Sequence, residues 1–245
     1  ENLSILKERG FTVLGPAEGI QACGDVGLGR MLEPEDIIAD IERMFSTGSL
    51  SGKTVVVTAG PTREAIDPVR FISNHSSGKM GYALAEAAAD AGAKVILISG
   101  PTNIACPPRV IRKDVISARD MLDACINAID NCDLFIAAAA VADYRPSAFT
   151  DKKIKKTADT MTIELEKNPD IISTVAALDN SPVTVGFAAE THDVIAHATD
   201  KLQRKKLDAI IANDVSRGDI GFNSDDNQVY FITPSHCDEL PIFNK

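Results

Sequence analysis

Residues 53–61 read KTVVVTAGP, a run of β-branched residues that ends at Gly60-Pro61. A short apolar run that is closed by turn-forming residues is typical of a strand buried on both faces of a parallel sheet. The sequence therefore predicts a buried strand over residues 53–59 and a loop after it.

The same pattern recurs along the chain. Apolar runs predict further strands over residues 95–99, 133–139, 184–188 and 208–212, and helices are predicted over residues 79–91, 118–129 and 194–204. Strands that alternate with helices are joined by right-handed crossovers in an open sheet. We therefore predict an α/β fold with a Rossmann-like, doubly wound, mostly parallel sheet. Ligands of such sheets bind beyond the carboxyl ends of the strands.

A long insertion separates two of the predicted strands. It covers residues 146–182 and contains the alternating segment MTIELE at positions 161–166. Alternation of apolar and polar residues is typical of a strand with one exposed face. We predict that the insertion forms a β-arm or flap.

The N-terminal residues differ in composition from the rest. A glycine-rich loop is predicted over residues 22–30 and a helix over residues 34–45, and a polar, glycine-bearing linker follows at residues 46–52. Such linkers often mark domain boundaries. We predict an N-terminal segment at residues 1–45 and a main domain at residues 53–245.

Charge and hydropathy narrow the classes of partner. The formal net charge of −10 and pI of about 4.9 disfavour non-specific binding of nucleic acid. No apolar run approaches the roughly 20 residues that span a bilayer, so we expect no membrane role. The chain has five cysteines, an odd number without metal-ligand spacing, and residues 1–10 lack the pattern of a secretory signal. These features predict a cytoplasmic protein.

Two common phosphate-binding motifs are absent. Gly78-Lys79 is followed by Met80, and the glycine five positions before Gly78 is missing, so the segment is not a Walker A loop. The turn after the first predicted strand lacks the G-x-G-x-x-G fingerprint of dinucleotide-binding proteins. A P-loop ATPase and an ordinary nicotinamide dehydrogenase are therefore disfavoured.

A polar loop precedes the helix predicted over residues 79–91. It reads SNHSSG at positions 73–78. Hydroxyls, backbone N–H groups and the positive end of the helix dipole can together bind an anion. The alternative is simple N-capping of the helix by Ser76 or Ser77, which would leave Asn74 and His75 unexplained.

Charged residues surround the predicted carboxyl edge. Asp143 follows the strand predicted over residues 133–139, where it could bind Mg²⁺ or hydrogen-bond a sugar, or could cap its own turn. Lysines cluster at residues 152–156 and cations at residues 201–206. Such clusters can neutralise phosphate charge, but they also occur as solvated runs or as the basic end of a helix.

Ordered motifs give the chain a family resemblance. The motifs are TAGPTRE at 58–64, IDPVRFISNHSSGKMG at 66–81, AAAVADY at 138–144, KIKK at 153–156, KNPDI at 167–171, VGFAAET at 185–191 and ANDV at 212–215. Together they resemble bacterial phosphopantothenoylcysteine synthetase over residues 52–245. In bacteria this synthetase is commonly fused behind a flavin-dependent phosphopantothenoylcysteine decarboxylase.

Residues 15–34 resemble the end of that decarboxylase. The resemblance implies that residues 1–45 are a remnant of it, in which Cys23 corresponds to the proton donor. Cys23 would act, and FMN would be bound, only in the intact fused protein. Decarboxylation is accordingly not expected of this chain alone.

The resemblance implies a CTP-dependent ligation. The carboxylate of 4′-phosphopantothenate would attack CTP to give an acyl-cytidylate and pyrophosphate, and L-cysteine would then displace CMP. A homodimer and Mg²⁺ at Asp143 are also implied. The implied roles are catalysis by Asn74 and Lys153, binding of substrate phosphate or pantothenate by Ser76, Ser77 and Gly78, and nucleotide binding by Ala137, Ala138, Ala139, Asp143, Lys153, Pro169, Asp170, Ile171, Ile172, Phe187, Lys201 and Lys205.

Two other classes of protein remain open. A dinucleotide or nucleotide-sugar oxidoreductase would need a glycine fingerprint after Val57 and an acidic residue after the second strand, where Ser99-Gly100 stands. A non-catalytic module that binds a nucleotide without turnover is the other alternative.

Overall fold

The computed structural model describes residues 2–20, 26–45, 48–155, 159–190, 192–214 and 226–244. The chain divides into two compact units, residues 1–48 and residues 49–245.

The N-terminal unit contains helix α1 (Asn2–Glu8), strands β1 (Ala17–Ile20) and β2 (Val26–Arg30), and helix α2 (Pro34–Phe45). The predicted helix over residues 34–45 is confirmed, and its first turn carries acidic residues that suit the helix dipole. The predicted glycine-rich loop is wrong for residues 26–30, which pair with β1 as an antiparallel strand. Cys23 lies outside the described residues.

The second unit carries the large sheet. Its elements in chain order are β3 (Thr54–Ala59), β4 (Arg63–Ala65), β5 (Phe71–Ser73), α3 (Lys79–Asp90), β6 (Lys94–Ser99), β7 (Val110–Asp114), α4 (Ala118–Ile126), β8 (Leu134–Ala137), β9 (Tyr144–Pro146), β10 (Leu165–Lys167), α5 (Ile171–Ala176), β11 (Val183–Glu190), α6 (Val194–Lys205), β12 (Ala209–Asp214), β13 (Asp226–Asn227), β14 (Val229–Ile232), β15 (Cys237–Glu239) and β16 (Phe243–Asn244).

The sheet has eight strands in the order β7-β6-β3-β8-β11-β12-β14-β15. Strands β7 to β12 in this order are parallel, and β14 and β15 are antiparallel additions at one edge. The chain runs from β3 outward to β7 and then returns to β8 on the other side of β3. The strand order therefore reverses between β3 and β8, and the predicted doubly wound α/β fold is confirmed.

Strand β3 is the centre of the core. Val55, Val56 and Val57 are each 0% exposed, as the apolar run at residues 53–59 predicted. Val56 packs with Phe135 on one face, and its two neighbours pack with the side of α3 on the other. A Cβ atom on Gly81 of α3 would lie 2.5 Å from Cβ of Ala59, so helix and strand approach too closely for any larger residue.

The predicted insertion includes a short two-stranded arm. Strands β9 and β10 pair antiparallel, with Tyr144 opposite Lys167. The pairing continues one step beyond these strands, since the backbone N–H of Asn168 donates to the carbonyl of Asp143 at 2.8 Å. The β-arm predicted for residues 146–182 is therefore present, although it begins at residue 144.

The loop after β3 is locked between its neighbours. The backbone N–H of Ala140 donates to Gly60 at 2.9 Å, and the N–H of Ala142 donates to the hydroxyl of Thr62 at 3.0 Å. On the other side, a Cβ atom on Gly100 would lie 1.8 Å from the carbonyl oxygen of Pro61. Only glycine fits at position 100, because backbone stands where a side chain would begin.

Among the described residues, no helix combines the length and the apolar character that crossing a membrane requires.

Candidate ligand-binding site

A cavity of about 700 Å³ lies at the carboxyl ends of β8 and β11, next to the point between β3 and β8 where the strand order reverses. In open α/β sheets this is where the crossover helices diverge and leave room for a ligand. The residues that line it are Thr58, Ala137, Ala139, Val141, Ala142, Asp143, Tyr144, Lys167, Asn168, Pro169, Asp170, Ile171, Ile172, Gly186, Phe187, Glu190, Lys201, Arg204, Lys205 and Leu207.

Small residues form the floor of the cavity. Ala137 ends β8, Ala139 follows it, and Gly186 lies beside them on β11. A Cβ atom on Gly186 would lie 2.8 Å from Cδ1 of Leu207, so a larger residue at this position would require the leucine side chain to shift. Since short side chains expose the backbone, a ligand ring can approach the ends of both strands closely.

Cations line one wall. Lys201, Arg204 and Lys205 are spaced three and four residues apart on α6, which puts them on one face of the helix. The ammonium of Lys201 donates to the carbonyl of Phe187 at 2.9 Å. Burial, and next to it the charge of Lys205, lowers the pKa of Lys201. A buried cation beside further cations is an arrangement that an anionic ligand would stabilise.

Asp170 links this wall to helix α5. Its carboxylate accepts from the backbone N–H of Ser173 at 3.2 Å as the N-cap of α5, and lies 2.7 Å from the ammonium of Lys205. Burial acts to raise the pKa of Asp170, but the hydrogen bonds from Lys205 and Ser173 outweigh it and hold the pKa below its usual range. Lys205 is therefore oriented by a carboxylate that stays ionised.

Asp143 and Asn168 form the opposite side. The Asn168 side chain donates to the carbonyl of Ala142 at 2.8 Å and accepts from Arg145 at 3.1 Å. Asn168 therefore fixes the loop that presents the exposed carboxylate of Asp143 to the cavity. Asn168 lies in the KNPDI motif, but the sequence did not predict a role for it. Glu190 and Arg204, which also line the cavity, were likewise not assigned.

Most residues predicted to bind a nucleotide lie around this one cavity. Ten of the twelve line it, and Ala138 and Lys153 do not. The backbone N–H of Ala138 donates to Thr58 at 3.2 Å as part of the sheet. The structure contains no ligand, so the roles of these residues stay predictions.

Asn74 lies beside the cavity without lining it. Its amide donates to the carbonyl of Val141, a cavity residue, at 3.0 Å. The nearby hydroxyls bind within their own loop: Ser76 accepts from the N–H of Gly78 at 3.2 Å, and Ser77 from that of Lys79 at 3.4 Å. The N-cap of α3 is Gly78 in the left-handed region, with no side-chain cap. The alternative of side-chain N-capping by Ser76 or Ser77 is therefore not what caps this helix, and the substrate role of Ser76, Ser77 and Gly78 stays a prediction.

Lys153 belongs to a different part of the surface. It lies on an exposed loop whose next residue, Ile154, is tied to Asp67 and Arg70. The buried carboxylate of Asp67 accepts from the backbone N–H groups of Val69, Arg70 and Ile154. Within one chain these contacts hold Lys153 on the β4–β5 side and not at the cavity wall.

The fold and the cavity define a class, that of α/β proteins with a doubly wound sheet and a cavity of ligand size at the carboxyl ends of its strands. Residues 50–245 match the sequence model of the DNA/pantothenate metabolism flavoprotein C-terminal domain. Because this match covers most of the chain, the chain belongs to that family.

Known relatives agree in name and extent. The chain is 53% identical over 248 residues to a coenzyme A biosynthesis bifunctional protein CoaBC of Vibrio vulnificus, and 50% identical over 250 residues to that of Escherichia coli K12. All of the chain is covered, against 62% and 61% of these relatives, so the chain spans about three fifths of their length. A crystal structure of a CoaBC C-terminal domain superposes with a TM-score of 0.67 at 44% identity, over 79% of this chain and 88% of that one.

These matches correct the predicted identity and activity. The chain was expected to be phosphopantothenoylcysteine synthetase, a CTP-dependent ligase, but the family is named for a flavoprotein and the names of these relatives give no ligase. The expectation that this chain alone has no decarboxylase activity is corrected as well, because the family is named for a flavoprotein. The ligase assignment was carried over from motifs, and its lysine, Lys153, does not line the cavity. CTP and Mg²⁺ have no support from the family and are withdrawn with it.

Proposed function

We propose that the second unit binds a mononucleotide-class ligand, meaning a planar ring joined through a sugar or sugar alcohol to phosphate, and that it serves coenzyme A biosynthesis within a longer protein. The observation that carries the proposal is the cavity itself, which combines a floor of small residues with a wall of three cations. The volume of about 700 Å³ lies within the range of small-molecule sites.

The phosphate is assigned to the cation wall. Lys201 and Lys205 are held in place by Phe187 and Asp170, so little side-chain entropy is lost when an anion binds. Arg204 adds a planar guanidinium that suits phosphate geometry. Hydrogen bonds to charged groups contribute about 1.5–3 kcal/mol each, so these cations would supply much of the affinity.

The ring is assigned to the floor. Ala137, Ala139 and Gly186 leave an open apolar surface, and Phe187 adds an aromatic side chain next to it. The sugar hydroxyls would then lie near Asp143, whose carboxylate can accept from them. FMN and the simple ribonucleotides all have a ring, hydroxyl groups and phosphate. FMN must be among the ligands tested, because the family is named for a flavoprotein.

Isothermal titration calorimetry on the full chain tests the proposal with AMP, CMP, GMP, UMP and FMN as separate ligands. We expect at least one to bind, and we expect Lys205→Gln to weaken that binding about ten-fold or more. Lys94→Gln is the matched control, because Lys94 is an exposed cation at the opposite end of the parallel strands. No binding of any of the five ligands, or equal loss in the control, would refute the proposal.

We also propose that the chain forms a homodimer through the arm. Phe71, Phe149 and Leu165 are large apolar side chains that are 47%, 55% and 44% exposed. They belong to β5, the insertion and β10, and exposed large apolar side chains on the arm and beside it are candidates for a protein interface. In a dimer formed through the arm, the packing of the two chains would also determine the distance between Lys153 and a cavity.

Light scattering coupled to size-exclusion chromatography measures the assembly. Phe149→Asp is expected to convert a dimer into a monomer, whereas Ile116→Asp, at an equally exposed apolar residue outside the arm, should leave the mass unchanged. A monomeric wild-type chain at micromolar concentration would exclude this interface.

For the intact bifunctional protein we propose flavin-dependent decarboxylation with Cys23 as the proton donor. The flavoprotein name of the family and the resemblance of residues 15–34 to the end of a decarboxylase support it. The test is formation of the decarboxylated product from phosphopantothenoylcysteine by the intact protein with FMN, because carbon dioxide leaves before the proton is donated. Cys23→Ser should abolish release of the final decarboxylated product, and Cys106→Ser, at an exposed cysteine elsewhere, should not.

A further inference from the structure

Two of the four histidines of the chain lie together where β11 leads into α6. One nitrogen of His192, one nitrogen of His197 and one carboxylate oxygen of Asp193 all lie within 4.8 Å of one another. The two imidazole rings meet edge to face, with their centroids 4.9 Å apart. All three side chains are exposed, so they can reorient without disturbing the core.

A fourth group stands next to the cluster. Oε2 of Glu190 is 3.6 Å from Nδ1 of His197. Glu190 is the last residue of β11 and also lines the ligand cavity. The cluster therefore has two imidazoles and two carboxylates, and one of the carboxylates is shared with the edge of the cavity.

The carboxylate of Asp193 does not perform the usual task of an aspartate at its position. Asp193 is the N-cap residue of α6, yet its side chain makes no capping hydrogen bond, and its backbone lies in the left-handed region at φ 46°. An aspartate at an N-cap ordinarily accepts from the N–H of the second or third helical residue. Here the helix cap does not engage the carboxylate oxygens.

From this arrangement we propose that Glu190, His192, Asp193 and His197 bind a divalent transition-metal ion of the zinc class. Two imidazoles with carboxylates suit Zn²⁺, Co²⁺ and Ni²⁺, whereas Mg²⁺ and Ca²⁺ prefer oxygen ligands throughout. Bonds of about 2.0–2.1 Å to the metal place ligand atoms roughly 3.4 Å apart in a tetrahedral site. Closing the cluster from 4.8 Å to that spacing requires movement of exposed side chains and not of the core.

Metal binding would act on the cation wall. The ion would tie the end of β11 to the first turn of α6, and the later turns of α6 carry Lys201 and Lys205. Holding the start of α6 against β11 would therefore restrict how that wall adjusts to a ligand. The metal site itself does not depend on the proposed mononucleotide.

Co²⁺ and Zn²⁺ are the probes. Visible absorption of Co²⁺, followed by competition with Zn²⁺, gives the number of sites and their affinities for the full chain in the absence of nucleotide. We expect one Co²⁺ per chain, displaced by Zn²⁺. His197→Gln and His192→Gln should each weaken binding by at least about ten-fold, since even the loss of an outer hydrogen-bond partner of a metal ligand costs about 10- to 100-fold.

His236→Gln is the matched control. His236 is exposed and its Nε2 lies 2.9 Å from a carboxylate oxygen of Asp238, so the variant removes another histidine with an acidic neighbour. The control should bind Co²⁺ as the wild type does, and circular dichroism should show all variants folded. Equal Co²⁺ binding by the wild type and the His192→Gln/His197→Gln double variant would overturn the proposal.

Failure of this site is distinguishable from failure of the proposed function. The calorimetric titrations with mononucleotides are made in the presence of a chelator, and the Co²⁺ titrations without nucleotide. Loss of metal binding in the histidine variants with unchanged mononucleotide affinity under chelation is the expected pattern. A wild-type chain that binds mononucleotide but no Co²⁺ would reject the metal site alone.

Discussion

Oδ2 of Asp67 lies 3.1 Å from the backbone nitrogen of Ile154, which joins the turn between β4 and β5 to the lysine-rich loop 87 residues further along the chain. The same oxygen is 3.0 Å from Nε of Arg70, and the guanidinium of Arg70 donates in turn to the carbonyl of Ile154. One buried carboxylate therefore fixes the position of an exposed loop that carries Lys153.

Replacing this carboxylate should release the loop. Asp67→Asn keeps the size of the side chain but removes the charge that Arg70 and three backbone N–H groups are arranged around. We expect faster hydrogen exchange of residues 151–155 and a thermal midpoint several degrees lower. Asp151→Asn, on the same loop but exposed, is the control and should change neither. Unchanged exchange in Asp67→Asn would show that the loop is held by other contacts.

Close packing of α3 on β3 gives a second prediction. Gly81→Ala would put a Cβ atom 2.5 Å from Cβ of Ala59, so the helix must move away from the sheet. Although alanine is the better helix former, overpacking of this kind costs about 1–3 kcal/mol. Urea denaturation should show that loss, with Glu86→Ala on the exposed face of the same helix near neutral. A Gly81→Ala protein as stable as the wild type would contradict the packing.

The cap of α5 gives a third prediction. Asp170→Ala removes the side chain that accepts from Ser173, and loss of an N-cap typically lowers the free energy of unfolding by about 1 kcal/mol. Because the pKa of Asp170 is lowered in the folded state, its contribution is present above the unfolded pKa of about 3.9 and is lost as the pH falls through the folded value. Chemical denaturation at pH 7 should separate wild type from variant, and the gap should narrow at low pH as the carboxylate of Asp170 gains its proton.

Asp179→Ala is the matched control for the cap, since Asp179 is an exposed aspartate shortly after α5. It should be as stable as the wild type at both pH values. A gap between Asp170→Ala and wild type that persists unchanged at low pH would mean that the carboxylate charge is not what stabilises the helix.

The lowered pKa of Lys201 predicts how ligand binding depends on pH. Lys201 loses its proton at a lower pH than the ordinary value of about 10.4, because burial disfavours the charged form. A bound phosphate favours that charged form, so affinity should fall as the pH rises from 7 toward 10, and binding should take up a proton over that range. Calorimetry in buffers of different ionisation enthalpy measures the uptake. In Lys201→Arg the affinity should stay level, because arginine remains charged.

The buried parallel strands could be predicted from the sequence because each is a short, continuous apolar run. The run at residues 53–59 became β3, and the run at residues 95–99 lies within β6, which begins one residue earlier. Strand β7 was missed, since Val110–Asp114 has three charged residues and lies at the edge of the sheet, where few side chains are buried. Helix α5 was missed because six residues are too short to show a helical period.

The candidate site was predictable to the level of the sheet edge. The rule that ligands bind beyond the carboxyl ends of parallel strands pointed to the segments around Asp143 and Phe187, which line the cavity. The position of Lys153 was not predictable, because it depends on the contact between Asp67 and Ile154, far apart in sequence. The predicted activity was wrong because it was inferred from motifs alone. Catalytic activity depends on which side chains the folded chain brings together in one site.

The close approach of Gly100 to Pro61 has a mechanical consequence. Pro61 cannot retreat in one direction, and its neighbours Gly60 and Thr62 are hydrogen-bonded to residues 140 and 142 in the other. We therefore expect the β8 side of the cavity to move little when a ligand binds. We expect any movement that makes room for a ligand to occur in α6 on the opposite side. This helix begins after Asp193, whose backbone lies in the left-handed region.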